Sequence, residues 1–207
     1  MRTTDQSVVL LNCTLKHSPE ASSCQLLAEQ LLGGFAAHGV DGDIVRVVDL
    51  DVAPGVDADM GAGDEWPSLR ARILDADILV ICTPTWLGHM SSVAQRVLER
   101  LDAELSSTDD AGRPILFGHV AATAVLGNED GAHKITADLQ QALNDVGFTV
   151  PAQGGTYWNG AAMEKTDYKD LAVTPDAVVQ ANATLVRNAV HLARLLREHQ
   201  YPAPSSK

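Results

Sequence analysis

Five consecutive apolar residues, Ile78, Leu79, Val80, Ile81 and Cys82, stand at the head of the segment ILVICTPTWLGHMSS. A strand with no polar side must be covered on both faces, which predicts a central position in a parallel sheet. Thr83-Pro84 ends the run, because proline has no N–H to give a sheet ladder. A loop with one tryptophan and one glycine follows, and Ser91-Ser92 offer a cap for the helix VAQRVLERL. Strand, short loop and capped helix form one unit of an α/β sheet, where ligands sit beyond the carboxyl ends of the strands. The loop Thr83 to Met90 is therefore the expected floor of a binding site.

The same pattern recurs along the chain. Val8-Val9-Leu10-Leu11 is a second apolar strand, and the polar loop TLKHSPEASS leads from it into a helix with Leu27, Leu31 and Phe35 at four-residue spacing. Gly39 closes that helix. Ile44 to Val48 gives strand two. Asp51 to Pro67 is a long Gly/Ala/Asp loop, and Leu69 to Leu74 is a short helix. Residues 104–114 have the composition of an exposed connection. His119 to Leu126 is strand four, Gly127 to Gly131 its terminal loop, and Ile135, Leu139, Ala142 and Val146 mark the next helix. Phe148 to Pro151 begins strand five, and residues 153–174 form a long irregular segment. Thr174-Pro175-Asp176 has the cap, proline and acid of a helix start. Val178, Ala181, Leu185, Ala189, Leu192 and Leu196 carry that helix's buried stripe, and 201–207 reads as a loose tail.

Five strands alternating with five helices predict one doubly wound α/β domain over residues 1–207. The sheet is five-stranded and parallel, ordered 2-1-3-4-5, with helices on both faces. The long loops follow strands, so most of the extra chain lies on the ligand-binding edge. At 207 residues a single core of ordinary size is expected. The net charge of −12 opposes general binding to nucleic acid or anionic membranes. No apolar stretch approaches the roughly 18 residues of a membrane span. MRTTDQS lacks the apolar run of a signal peptide, and the 3 cysteines have no metal-type spacing. Cytoplasm is the expected compartment.

The first loop lacks both G-x-G-x-x-G and G-x-x-x-x-G-K-[ST]. Instead Thr14, Ser18, Ser22 and Ser23 line the approach to a helix N-terminus, with Lys16 nearby. Hydroxyls and free N–H groups at a positive dipole end suit a phosphate monoester. Ser22 or Ser23 also suits a plain helix cap, and the two roles are compatible. The 7 histidines show no H-E-x-x-H spacing, so no metal site is expected, and no G-x-S-x-G elbow is present.

NCTLKHSPEASS, ADILVICTPTWLGHMSSVAQRVLERL, GNEDGAHKITADLQQALNDVGF and GTYWNG together resemble the NAD(P)H-dependent FMN reductases of the flavodoxin-like fold. The resemblance runs from about Val8 to Gly160 and keeps the order of three cofactor loops. It implies FMN bound without covalent attachment, in a homodimer or larger assembly. In such a protein Thr14, Lys16, Ser18, Ser22 and Ser23 wrap the phosphate. Cys24 stands where a threonine is frequent, and a thiol is the weaker donor. Pro84, Thr85, Trp86, Leu87 and Gly88 would pack on the ring and ribityl chain, although a loop tryptophan also suits a core plug. Gly127, Asn128, Glu129, Asp130 and Gly131 would face the pyrimidine end. Two acids there are unusual beside a ring that becomes anionic on reduction. Asp130 as the cap of the next helix would turn its carboxylate away; a solvated loop start is the alternative. Tyr157 and Trp158 suit either the outer side of the ring or structural packing, while His89 and His133 read as exposed.

The resemblance implies an oxidoreductase that takes reducing equivalents from NADH or NADPH through FMN to a small acceptor such as a quinone or a flavin. The loops at 51–67 and 153–174 would wall the acceptor's pocket. The flavin ring carries the chemistry, so no side chain is named as catalytic. Two other readings share the fold. One is a non-enzymatic flavodoxin-like electron carrier, whose acidic surface suits a basic partner. The other is an FMN-free interaction module, hinted at by Cys24.

Overall fold

The computed structural model describes residues 6–161 and 164–204. The strands are β1 (Ser7–Asn12), β2 (Asp41–Arg46), β3 (Ile78–Trp86), β4 (His89–Met90), β5 (Val120–Gly127) and β6 (Gly155–Asn159). The helices are α1 (Ser23–Ala37), α2 (Trp66–Asp75), α3 (Ser92–Leu101), α4 (Ala132–Asp145) and α5 (Asp176–Glu198). The main sheet is parallel and ordered β2-β1-β3-β5-β6, with β4 as a two-residue antiparallel extra on β3. Leaving out that extra strand, this is the expected 2-1-3-4-5 order.

Side chains of one strand alternate between faces, and the sheet accordingly divides two cores. Val8, Leu10, Val80 and Cys82 meet Leu27, Leu31 and Phe35 of α1 and Leu185 and Ala189 of α5. Val9, Leu11, Leu79 and Ile81 meet Leu69 and Ile73 of α2, Val97 of α3, and Ile135 and Leu139 of α4. Long apolar runs in β1, β3 and β5 follow from burial on both sides.

Several boundaries differ from those expected. β3 runs through Pro84 to Trp86, because β1 ends opposite Cys82 and leaves Pro84 with a ladder partner only on the β5 side. A missing N–H costs nothing on an unpaired flank. β2 begins at Asp41, and Val47–Asp49 turn into a short 3-10 helix. Phe148 to Pro151 is not the start of the last strand. Thr149 makes one isolated bridge to Val120, the chain turns between Pro151 and Gly154, and Gly155–Asn159 then pairs with β5. Pro151 cannot extend the ladder that Thr149 begins. The segment expected to be irregular thus contains an edge strand. At α5, Pro175 occupies the cap position and the Thr174 hydroxyl instead accepts from Gln30 Nε2 at 2.9 Å.

The 51–67 loop is pinned to α3 rather than to the ligand edge. Arg100, wholly buried, donates to the carbonyls of Ala53 and Asp57 and to the Asp64 carboxylate, and its guanidinium lies 5.3 Å from the Trp66 ring centroid. Tyr201 is not loose: its hydroxyl pairs with Thr149 Oγ1 at 3.0 Å and its ring contacts Phe117. Residues 205–207 of the expected tail lie outside the described residues.

Candidate functional site

At the carboxyl edge of the sheet, the loops after β1, β3 and β5 and a later segment enclose a cavity of about 300 Å³. That is enough for a small-molecule site. The first loop is built on Asn12, buried at the end of β1. Its Oδ1 accepts the Thr14 N–H at 3.1 Å and its Nδ2 donates to Gln25 Oε1 of α1 at 2.8 Å. Arg46 braces the loop from below, donating to the carbonyl oxygen of Glu20 at 2.9 Å. Ser22 caps α1, its Oγ accepting the Gln25 N–H at 3.4 Å, and it also lines the cavity. The adjoining N–H groups of Ser23 and Cys24 have no acceptor within the helix. Thr14, Lys16 and Ser23 complete this end of the lining.

Ser18 departs from expectation. Its N–H and hydroxyl both donate to Asp49, at 2.9 and 2.6 Å, on the outer arm of the loop and away from the cavity. Those bonds hold the Asp49 carboxyl below the usual carboxylate range.

From the second loop, Pro84, Thr85 and Trp86 line the cavity. Leu87 and Gly88 do not. Trp86 pairs with His89, so Leu87 and Gly88 form a two-residue hairpin turn with φ of 51° and 73°. Two positive φ values are what such a turn demands. Thr85 is only 4% exposed, and its hydroxyl has no hydrogen-bond partner among the described residues. Ser91 Oγ caps α3 and donates to the Cys13 carbonyl at 2.7 Å, tying the first loop to the second.

Gly127, Asn128 and Glu129 line the cavity from the third loop, while Asp130 and Gly131 stand outside it. Asp130 is not the cap of α4. Gly131 takes that position with φ 127° and no side-chain bond. Packing also demands a glycine there, since a Cβ would meet Gly88 Cα at 2.9 Å. The Glu129 carboxylate is instead turned to the hairpin, accepting the Leu87 N–H at 2.8 Å. Glu129 is thus engaged by a device other than the one expected, while Asp130 is exposed, in line with the solvated alternative.

A fourth wall comes from beyond β5. Alternation along β6 turns Trp158 inward and Tyr157 outward, where Tyr157 meets His133 with ring centroids 5.0 Å apart. Trp158 contacts the buried Tyr168 ring at 5.5 Å, and the Tyr168 hydroxyl donates to Gln30 Oε1 at 2.6 Å. Burial pushes the Tyr168 phenol up from its ordinary value. Asp167 and Lys169 flank it in the lining. Leu15, Leu126, Asp167, Tyr168 and Lys169 were not singled out from sequence. The one available signal was a tyrosine among charges in a long segment following a strand, where functional residues concentrate. No residue of 51–67 lines this cavity. Cys24 lies in the lining and Cys13 and Cys82 are buried; desolvation pushes the Cys13 thiol well up, so it stays protonated.

One end of the cavity therefore offers hydroxyls and helix N–H groups, with Lys16 and Lys169 also in the lining. The other offers flat indole and aliphatic surfaces, and the unsatisfied Thr85 hydroxyl also lies in the lining. An elongated ligand with a planar ring and an anionic end fits this division.

Residues 7–162 match the family model described as NADPH-dependent FMN reductase. Over 205 residues the chain is 34% identical to the 8-demethyl-8-aminoriboflavin-5'-phosphate synthase of Streptomyces davaonensis, covering 93% of this chain and 79% of that protein. It is 38% identical over 205 residues to the divalent metal cation transporter MntH of Mycobacterium bovis. That match covers 96% of this chain but spans only 30% of the transporter's length. No helix among the described residues is long and apolar enough to cross a membrane. Among solved structures, RosB with the bound intermediate 8-demethyl-8-formylriboflavin-5'-phosphate superposes with a TM-score of 0.86 and 33% identity, over 95% of this chain and 82% of that one. An archaeal flavodoxin superposes with a TM-score of 0.58 at 11% identity, over 91% of this chain and 99% of that one, a likeness of fold alone.

Proposed function

This chain belongs to the NADPH-dependent FMN reductase family, and on that premise we propose that it holds FMN in the cavity at the carboxyl edge of its sheet and passes reducing equivalents from NADH or NADPH to a small acceptor such as a quinone or a flavin. Membership, with a synthase of a riboflavin derivative among its relatives, makes it a flavin-associated oxidoreductase. The bound flavin supplies the two-electron chemistry when present, and the protein supplies orientation and electrostatics.

The observation that carries the assignment is the pairing of two unlike ends in one cavity. Ser22, Ser23 and the first N–H groups of α1 meet a phosphate, with Thr14 and Lys16 beside them. Trp86, Leu126 and Trp158 offer apolar surface to a fused ring. Thr85 and the Gly127–Asn128 backbone offer polar atoms to its edge. Glu129, tied to the hairpin, keeps its charge engaged with an N–H rather than directed at the ring. Leu15 and Trp86 of the lining are exposed, and so is Leu87 next to Trp86. Exposed apolar residues at a cofactor site support a homodimer or larger assembly that covers them.

The deciding experiment is an absorption spectrum of the purified protein under anaerobic conditions. A flavin band that bleaches on adding NADH or NADPH and returns with a quinone is the expected result. A bound flavin that neither nicotinamide reduces overturns the reductase reading.

The synthase relative and the RosB complex favour a second reading, in which the flavin phosphate is substrate rather than retained cofactor. The two readings share the same cavity and separate on the mass of the flavin recovered after turnover. An unchanged mass supports the cofactor role, and an altered one supports the substrate role.

A further inference from the structure

Lys169 lies outside residues 7–162, the span matched to the family, yet it lines the same cavity as Ser22 and Ser23. Its place is fixed by its own backbone, whose N–H donates to Ser23 Oγ, on the first residue of α1, at 3.3 Å. Asp167, two residues earlier, accepts Asn128 Nδ2 of the third loop at 3.1 Å. The turn carrying Lys169 is thus fastened to both ends of the site. A second sign that the cavity takes a ligand is independent of this turn: the buried Thr85 hydroxyl in its lining lacks a partner.

The charges at the α1 end are unevenly screened. Lys16 has 42% of its side chain exposed and is paired with Glu20 at 3.4 Å. Lys169 has 23% exposed and is held by Asp170 at 2.7 Å and Asp167 at 3.5 Å. The bond to Asp170 keeps the Lys169 ammonium firmly protonated. A less exposed charge is less weakened by water and salt. Asp167 shares the lining with Lys169, and without that neighbouring cation its carboxylate would repel a phosphate. Cys24 adds to the need, because a thiol stands where a hydroxyl would be the better donor.

We propose that Lys169 binds the phosphate of a flavin 5'-phosphomonoester from the wall opposite the first loop, so that the cavity selects phosphorylated flavins over riboflavin. The proposal rests on the flavin reading of the site given above. It gives the Asp167–Lys169 turn a recognition role in addition to closing the cavity.

The test titrates the full-length protein, freed of any bound flavin, with FMN and with riboflavin, following flavin fluorescence. Lys169→Met is expected to weaken FMN about 10- to 100-fold, the loss of one hydrogen bond to a charged acceptor, and to leave riboflavin within about twofold, since riboflavin lacks the charged group. Lys169→Arg keeps the charge and is expected to restore most of the FMN affinity. The dependence of FMN affinity on salt should also become shallower in Lys169→Met. Equal losses for FMN and riboflavin, or unchanged FMN affinity in Lys169→Met, overturn the proposal while leaving the flavin site standing. A parent protein that binds neither flavin overturns the flavin reading and this proposal together.

Discussion

Ser22 serves two masters, the Gln25 N–H inside the helix and the cavity outside it. Ser22→Ala is expected to cost about 1 kcal/mol as a lost cap and to weaken FMN about 10- to 100-fold. Ser18→Ala is the control. Its hydroxyl belongs to Asp49, so FMN affinity should stay unchanged, and a loss there would mean that the outer arm of the loop also reaches the phosphate. Ser22 was legible in the sequence because a cap is a local pattern, and Trp86 because it closely follows an apolar run, although β3 continues past the end expected at Thr83-Pro84. Ser18 was not, since only the turn after β2 decides where its hydroxyl goes. The buried pair of Arg100 and Asp64 makes a further residue-scale prediction. Arg100 holds the Asp64 carboxyl well below the usual carboxylate range. A depressed folded pKa stabilises above the unfolded value near 3.9 and loses that stabilisation as pH falls through the lower folded value. Acid melts should show stability falling below about pH 4. Asp64→Asn should remove that contribution and cost about 3–5 kcal/mol at neutral pH, by leaving Arg100 buried without its counter-charge.

Among elements, the β3–β4 hairpin and the start of α4 behave as one part, clasped by Glu129 on the Leu87 N–H and by the close approach of Gly131 to Gly88. Gly131→Ala must adopt a positive φ and push the hairpin away, so a loss of more than about 1 kcal/mol is expected in thermal melts. FMN affinity should fall with it, because Trp86 sits on the displaced arm. Retained affinity and stability would mean that the two loops move independently. The strands β1, β3 and β5 could be read from composition because both of their faces are covered. The β6 strand could not. It is a five-residue edge strand that opens on glycine, and Pro151 separates it from the apolar Phe148 and Val150. The wall formed by Asp167, Tyr168 and Lys169 was equally hidden. It has no periodicity of its own and reaches the site through long-range contacts: the hydroxyl of Tyr168 on Gln30, the backbone of Lys169 on Ser23, Asp167 on Asn128 and the Tyr168 ring on Trp158.

For the whole molecule, the exposed apolar pair Trp86-Leu87 is the feature that asks for a partner. Leu87 is 88% exposed and Trp86, in the lining of the site, 54% exposed. A sedimentation experiment at micromolar concentration is expected to show a homodimer or larger species, and Leu87→Asp should shift it toward monomer. A clean monomer with flavin bound would overturn the assembly. The division of the core by the sheet has a consequence for optical measurement. Trp66 belongs to the layer under α2, α3 and α4, and Trp158 packs on the layer under α1 and α5. The remaining indole of the 3 is the exposed Trp86. In a Trp86→Phe protein each layer therefore keeps one fluorophore of its own. Further replacement of Trp66 or Trp158 isolates the emission of a single side. If the layers melt as one unit, the two emission curves will coincide; if either side loosens first, its own tryptophan will report the change of colour before the other does.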